Sequence, residues 1–433
     1  ENGIVSSPIS SPTNFEFIMP NGPNMNNMFS INSSSSFLWA VYGGYDIFYN
    51  PFTFIPSMGP ATFGISKFNE SNGWRNIPYS DLLGAKALVR ISVNPNDENE
   101  LCIASYNDGL IKIVSDVPTT LYNAANSTME GGSPRINSTA YDKSGNLWVT
   151  QSREQRGLHV LKSNGTWANF DMQTILTDYA SNDFCKIAID KSGTKWIASY
   201  KNGVVAFNEN SNIGFKKLSE GADLGNLPSQ DVRAIAVDNR NQVWIGTNRG
   251  LRVLPSTGSY NNDEQMKANP IIILEDGLAQ ELLYEQFITD IDVNGSNQKW
   301  IGTADSGVFL FSSNGQETIY HFTKDNSPLP SNVINDIDIN AVTGEIFFAT
   351  DRGLVSFQGT ATKPADNLNA VYVFPNPVRP EYSGTVKIFG LMDKVNLKMY
   401  RFLPLKPPMR LTNVNHPLQS IRAIRMKSLP DLY

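Results

Sequence analysis

The stretch "NQVWIGTNRGLRVL", residues 241–254, decides the fold, because its pattern returns along the chain. It reads as a polar turn, the aromatic Trp244, a β-branched residue, a small residue and Thr247, then a second turn and Gly250 followed by an apolar residue. "NLWVTQSREQRGLHVL" around Trp148, "TKWIASYKNGVVAF" around Trp196 and "QKWIGTADSGVFLF" around Trp300 repeat it, and the successive tryptophans stand 48, 48 and 56 residues apart. "ELCIASYNDGLIKI" puts Cys102 at the aromatic position and "EIFFATDRGLVSF" puts Phe347 there. "FLWAVYGG" around Trp39 supplies a seventh copy, with "FGISKF" at 63–68 as its partner strand after a long insertion. Repeats of roughly 40–50 residues built from short strands are the signature of propeller blades.

Upstream of each aromatic lies another short strand that closes on Asp or Asn and a turn, as in "STAYDKSGN" (138–146), "KIAIDKSGT" (186–194) and "RAIAVDNRNQ" (233–242). Runs of four to seven alternating or β-branched residues between Gly, Asn, Asp and Ser read as strands joined by tight turns. "GTWANFDM", "GFKKLSE", "PIIILED" and "ETIYHFT" supply a more polar fourth strand to their units. Seven four-stranded units then fill residues 28–358. The expected architecture is all-β: a seven-bladed propeller over 1–360, followed over 361–433 by a linker and the start of a small, incomplete β-sandwich. Ring closure is assigned to "FEFIM" (15–19) as the outer strand of the last blade.

A lone blade cannot bury both its faces, so blades stack around an axis and the bulky residue of each second strand fills the gap to its neighbour. On this reading Trp148, Trp196, Trp244, Trp300 and Phe347 are spacers, and truncating one of the tryptophans to Ala costs about 3–5 kcal/mol. The Gly after each turn supplies a positive φ or a close backbone approach.

Composition narrows the function classes. Of 433 residues, 40% are hydrophobic and 18% charged, and a net charge of −6 argues against a nucleic-acid partner. No apolar run approaches the ~20 residues that span a bilayer. The chain opens on Glu1, so the lack of a signal peptide carries no information about compartment. Cys102 and Cys185 stand two blades apart, too far for a disulfide.

Catalytic constellations are missing from the pattern. His159, His321 and His416 form no metal-ligand spacing, and no cofactor is expected. Asp142 and Asp190 in the "DKSG" turns read as backbone caps, since the alternating acids and terminal Glu of a calcium loop are absent. Glu281 and Glu285, four apart in "QELLYEQ", read as one solvated helix face. Insertions at 43–62, 118–135 and 255–270 carry Tyr45, Tyr49, Phe52, Tyr122 and Tyr260 amid Asn, Gly and Ser, and these five are the candidate ligand- or partner-binding residues on one rim.

The segment "LPSQDVRAIAVDNRNQVWIGTNRGLRVL" (227–254) resembles the two-component regulator propeller repeat, which is found in extracellular sensor halves of Bacteroidetes hybrid histidine kinases. Residues 327–399, and above all "VFPNPVRPEYSGTVKIFGL" (373–391), resemble the end of the second propeller and the start of the C-terminal sandwich in the PorZ family of type IX secretion components. That resemblance implies a non-enzymatic role at the cell surface or in the periplasm. Its implied partners are sortase-complex proteins and anionic lipopolysaccharide, for attachment of secreted cargo. The alternative is the glycan-sensing propeller of a two-component regulator. Residues 400–433 depart from the family pattern: they hold five Pro, no Gly, and six Lys/Arg against one Asp. They read as a frame break or, alternatively, as a basic arm for a polyanion. Proteolysis is expected to cut between Gln358 and Asn369 and after Lys398.

Overall fold

The computed structural model describes residues 4–391, apart from 12, 14–15, 19–20, 45–53, 56–58, 263, 276, 363–368, 370, 378–381 and 383–385. Seven antiparallel sheets follow one another in chain order, and the first strands of successive blades pack side by side, the seventh against the first. Those first strands are Met28–Ser33, Leu88–Asn94, Ile136–Tyr141, Phe184–Ile189, Val232–Val237, Ile288–Val293 and Ile334–Ile339. The molecule is therefore an all-β, seven-bladed propeller with a channel along the first strands.

Register shows why the repeat has its period. Trp39, Cys102, Trp148, Trp196, Trp244, Trp300 and Phe347 pair with Asn32, Ser92, Ala140, Ala188, Ala236, Asp292 and Asp338, one equivalent rung in every blade. All seven residues at the aromatic position are buried. Side chains alternate across a strand, so Trp196 faces blade 5 while its neighbour Ile197 faces blade 3. Seven apolar clusters result, one in each gap between blades. A charged bond also crosses a gap: buried Lys299 of blade 6 holds Asp238 of blade 5 at 2.9 Å, its Nζ lying 4.3 Å over the Trp244 ring.

The polar turns have a second function. Asp142, Asp190 and Asp238 each accept two turn N–H groups on one oxygen. The other oxygen takes the indole N–H of Trp148, Trp196 or Trp244, at 2.9, 3.1 and 3.3 Å. Each first turn is thereby bonded to the spacer of its own blade.

Among the described residues five blades have four strands, but blades 5 and 7 have three. In blade 5 "PIIILED" does not lie along the third strand, Gly250–Leu254. Only Asn269 bridges to Val253, and Ile272–Glu275 instead folds on Leu278–Glu281 as a separate hairpin. Glu275 pairs directly with Leu278, and Gly277 between them has φ 78°, a local closure that wins over the longer-range pairing. In blade 7 the assigned closing strand is also a correction: Glu16–Ile18 pairs with Ile4–Ser6 in a two-stranded sheet of its own. The seam between blades 7 and 1 is made by side chains. Asp336 accepts from Ile31 N at 2.9 Å and Ser30 Oγ at 2.8 Å, Asp338 accepts from Ser33 N at 2.7 Å, and Asn335 donates to Met28 O at 2.7 Å.

The predicted helix face around Glu281 does not form. Leu283 and Glu285 have φ of 53° and 57°, and Glu281 ion-pairs with Arg252 at 2.9 Å. Cys102 and Cys185 are buried free thiols. Beyond the ring, Tyr372–Phe374 pairs with Lys387–Phe389.

Candidate functional site

Two positions before the aromatic rung the seven first strands carry one equivalent layer, Ser30, Arg90, Ser138, Lys186, Ala234, Asp290 and Asp336, of which Arg90, Ser138, Lys186 and Asp336 line the channel cavity. Arg90 Nη1 meets Asp336 Oδ1 at 2.7 Å, and Lys186 ion-pairs with Asp290. These pairs run from blade 2 to 7 and from blade 4 to 6. Three members of this layer also stitch adjacent blades: Ile187 N donates to Ser138 Oγ at 3.0 Å, Ile337 N to Asp290 Oδ2 at 2.8 Å, and Ile31 N to Asp336.

Beyond this layer is a cavity of about 330 Å³, its wall including Asn32, Ser92, Ala140, Asp292 and Asp338. Asp292 and Asp338 belong to neighbouring blades and have no ion-pair partner among the described residues. Burial pushes the Asp338 carboxyl up to about 6, although Ser33 and Asn32 donate to it. Burial, and then the Asp338 charge, holds Asp292 well above the usual carboxylate range. Asp290 is raised by burial against the pull of Lys186, while Arg90 and Lys186 hold Asp336 below its ordinary value despite its burial. The channel thus offers two protonatable carboxyls over a layer of spent ion pairs. Among the described residues no group of three or more His, Cys, Asp or Glu has metal-site geometry.

The candidate rim residues do not assemble. Tyr260 is fully buried: its ring stands edge-on to Trp196 at 6.5 Å, and its hydroxyl accepts from Asn208 N at 3.2 Å and donates to Gly214 O. It folds its own insertion down onto blades 4 and 5 and has no face left for a ligand. Tyr122 is half-buried on the outer strand of blade 2, edge-on to Trp167 at 5.3 Å. Tyr45, Tyr49 and Phe52 lie outside the described residues. The channel acids were a missed signal. "TDIDVN" and "NDIDIN" put Asp at alternate positions of two consecutive first strands, and alternate positions share a face.

The histidines lie away from the channel. His159 is buried on the third strand of blade 3, its Nδ1 2.9 Å from Thr128 Oγ1, and burial lowers it to about 4. His321 stacks on Phe309 at 3.9 Å on an outer strand, and His416 lies outside the described residues.

Residues 226–249 match the two-component regulator propeller family. No protein of curated function matches the sequence. Among solved structures, PorZ of Porphyromonas gingivalis, an essential surface component of its type-IX secretion system, has a TM-score of 0.70 at 23% identity. The likeness covers 93% of this chain and 56% of PorZ, so the chain spans little more than half of that protein. The extracellular domain of the putative hybrid two-component system BT3049 from B. thetaiotaomicron gives 0.55 at 15% identity, over 87% of this chain and 45% of that one. Virginiamycin B lyase from Staphylococcus aureus gives 0.55 at 11% identity, over 76% and 94%. A histidine-to-alanine variant of that lyase is catalytically inactive. These are likenesses of fold, and the chain shares the PorZ fold.

Proposed function

We propose that this PorZ-like propeller is a non-enzymatic surface component of a type IX secretion attachment complex, binding anionic lipopolysaccharide or partner proteins for cargo anchoring. The reading rests on the extent of the PorZ likeness. Blades 1 to 7 occupy residues 28–358, about three quarters of the chain, and the lyase match covers 76% of it. The PorZ match extends to 93% and so takes in chain beyond the ring. No helix among the described residues is long and apolar enough to cross a membrane, and the proposed location is the cell surface or periplasm.

The test has two arms. The purified chain is titrated with anionic and with neutral lipopolysaccharide on a sensor surface, and the gene is deleted in its host. Saturable binding to the anionic form, with cargo released unanchored into the medium on deletion, is expected. No binding in the first arm and normal anchoring in the second would overturn the proposal. The regulator repeat at 226–249 favours a second reading, an extracellular sensor propeller. That reading expects a soluble oligosaccharide to bind and cargo anchoring to survive deletion.

A further inference from the structure

The third strand of a blade is normally shielded by the fourth. Leu158–Leu161, Val204–Phe207 and Gly250–Leu254 are buried throughout, and Ile65–Asn69, Gly109–Val114 and Val308–Phe311 are mostly so. Blade 5 keeps its third strand covered without a full fourth, because the following loop lays Tyr260, Met266 and Ala268 over it. In blade 7 no residue of Gly353–Gln358 is fully buried, and Ser356 and Gln358 are exposed. Among the described residues no strand pairs with its outer edge.

The turn glycines give the same result independently. A Cβ on Gly109, Gly203 or Gly307 would overlap the carbonyl of Tyr122, Leu218 or Phe322, the fourth-strand residue lying over it. At Gly353 the nearest atom would be a side-chain carbon of Pro330, at 3.4 Å. An edge strand with unpaired N–H and C=O groups is a template for a further strand.

We propose that the outer edge of blade 7 receives an extended strand from a partner protein, which adds antiparallel to Gly353–Gln358 and sets a large aromatic side chain opposite Ser356. The partner's chemistry is read from the complete blades. In blade 6 Trp300, Leu310 and Tyr320 form one cross-strand row, and the Tyr320 ring stacks with Trp300 at 6.4 Å. In blade 3 the row ends on Ala168, and the next outer-strand side chain on that face, Phe170, stacks with Trp148 at 5.6 Å. The corresponding row in blade 7 is Phe347, then Ser356, then nothing. Directly opposed residues share a face, and that face is the rim of the cluster between blades 7 and 1, where Leu354, Phe68 and Trp74 are only partly buried. The segment Glu16–Ile18, which has the right pattern, is engaged with Ile4–Ser6. Main-chain bonds would supply affinity, and the partly buried Leu354, Phe68 and Trp74 on that face would supply specificity. The inference stands whether the ring serves secretion or sensing.

A fluorescent peptide of residues 316–324, the outer strand of blade 6, serves as the probe strand against the full chain, read by anisotropy and by backbone hydrogen exchange. Saturable binding is expected, with exchange of amides within 353–358 slowed at least tenfold. Ser356→Lys in the protein, or replacement of the peptide's tyrosine by alanine, should weaken binding at least tenfold. Ser356→Lys should leave the melting temperature and exchange elsewhere unchanged. The proposal is overturned if millimolar peptide protects nothing in 353–358, or if Ser356→Lys binds as tightly as the parent. It is equally overturned if the outward-facing amides of 353–358, those not bonded to Glu345–Thr350, are already protected in the free monomer, or become protected by dimerisation without peptide.

Discussion

At Trp300 the indole N–H lacks the turn carboxylate that its counterparts in the three preceding blades bond to. Asn294 stands where Asp142, Asp190 and Asp238 stand in the preceding blades. Its Oδ1 accepts the same two turn N–H groups, from Ser296 and Gln298, but its Nδ2 donates to Gln298 Oε1, and Trp300 Nε1 has no partner among the described residues. Asn294→Asp should therefore raise stability by about 1 kcal/mol, read as a higher urea midpoint. The difference is legible in the sequence once the turns are aligned, "AVDNRNQVW" against "DVNGSNQKW", because the cap precedes its tryptophan by six residues in both. The channel acids were legible only in part, since alternation marks a face but not which face lines the axis. Asp292 gives a test with a definite sign. Its carboxyl is raised on folding, so its contribution is fully present below its unfolded value and is lost as pH rises through the folded one. Asp292→Asn keeps the oxygen that accepts from Val293 N and removes that loss. Denaturation at pH 8 should show the variant more stable than the parent by roughly 1–3 kcal/mol, with the gain shrinking toward pH 5.

At the scale of strands, the second and third members of each blade were readable because burial on both faces forces apolar runs, whereas outer strands are half-wet and carry little pattern. "PIIILED" illustrates the failure: its composition is that of a strand, but the tight connection through Gly277 fixes its partner locally. The same scale explains why glycine recurs after the second turn. Gly307 combines φ 79° with the Phe322 carbonyl directly over its Cα, so Gly307→Ala should cost about 1–3 kcal/mol. Thermal melts of Gly307→Ala beside a Gly84→Ala control, where φ is 80° but nothing lies within 4 Å, separate the steric part from the backbone part. Equal losses would mean that the carbonyl contact contributes nothing.

The whole ring shows what a repeat leaves unsaid. Spacing gives the number of blades, but closure depends on how the last blade meets the first, and there the structure uses carboxylates and amides in place of a shared strand. Asp336 is central, joining Arg90 across the channel and the Ile31 amide and Ser30 hydroxyl across the seam. Asp336→Ala should destabilise by about 3–5 kcal/mol and speed hydrogen exchange in Met28–Ser33 well before it does so in blade 4. Uniform acceleration around the ring would contradict a localised seam. This closure has a mechanical consequence. The chain enters blade 1 and leaves blade 7 on the two sides of the same gap, so tension between a tether ahead of residue 28 and a load beyond residue 358 falls on that gap first. Under pull the ring would open there like a clasp, with Asn335, Asp336, Asp338 and Asn340 bearing the force, while the other six gaps carry load only after it has parted.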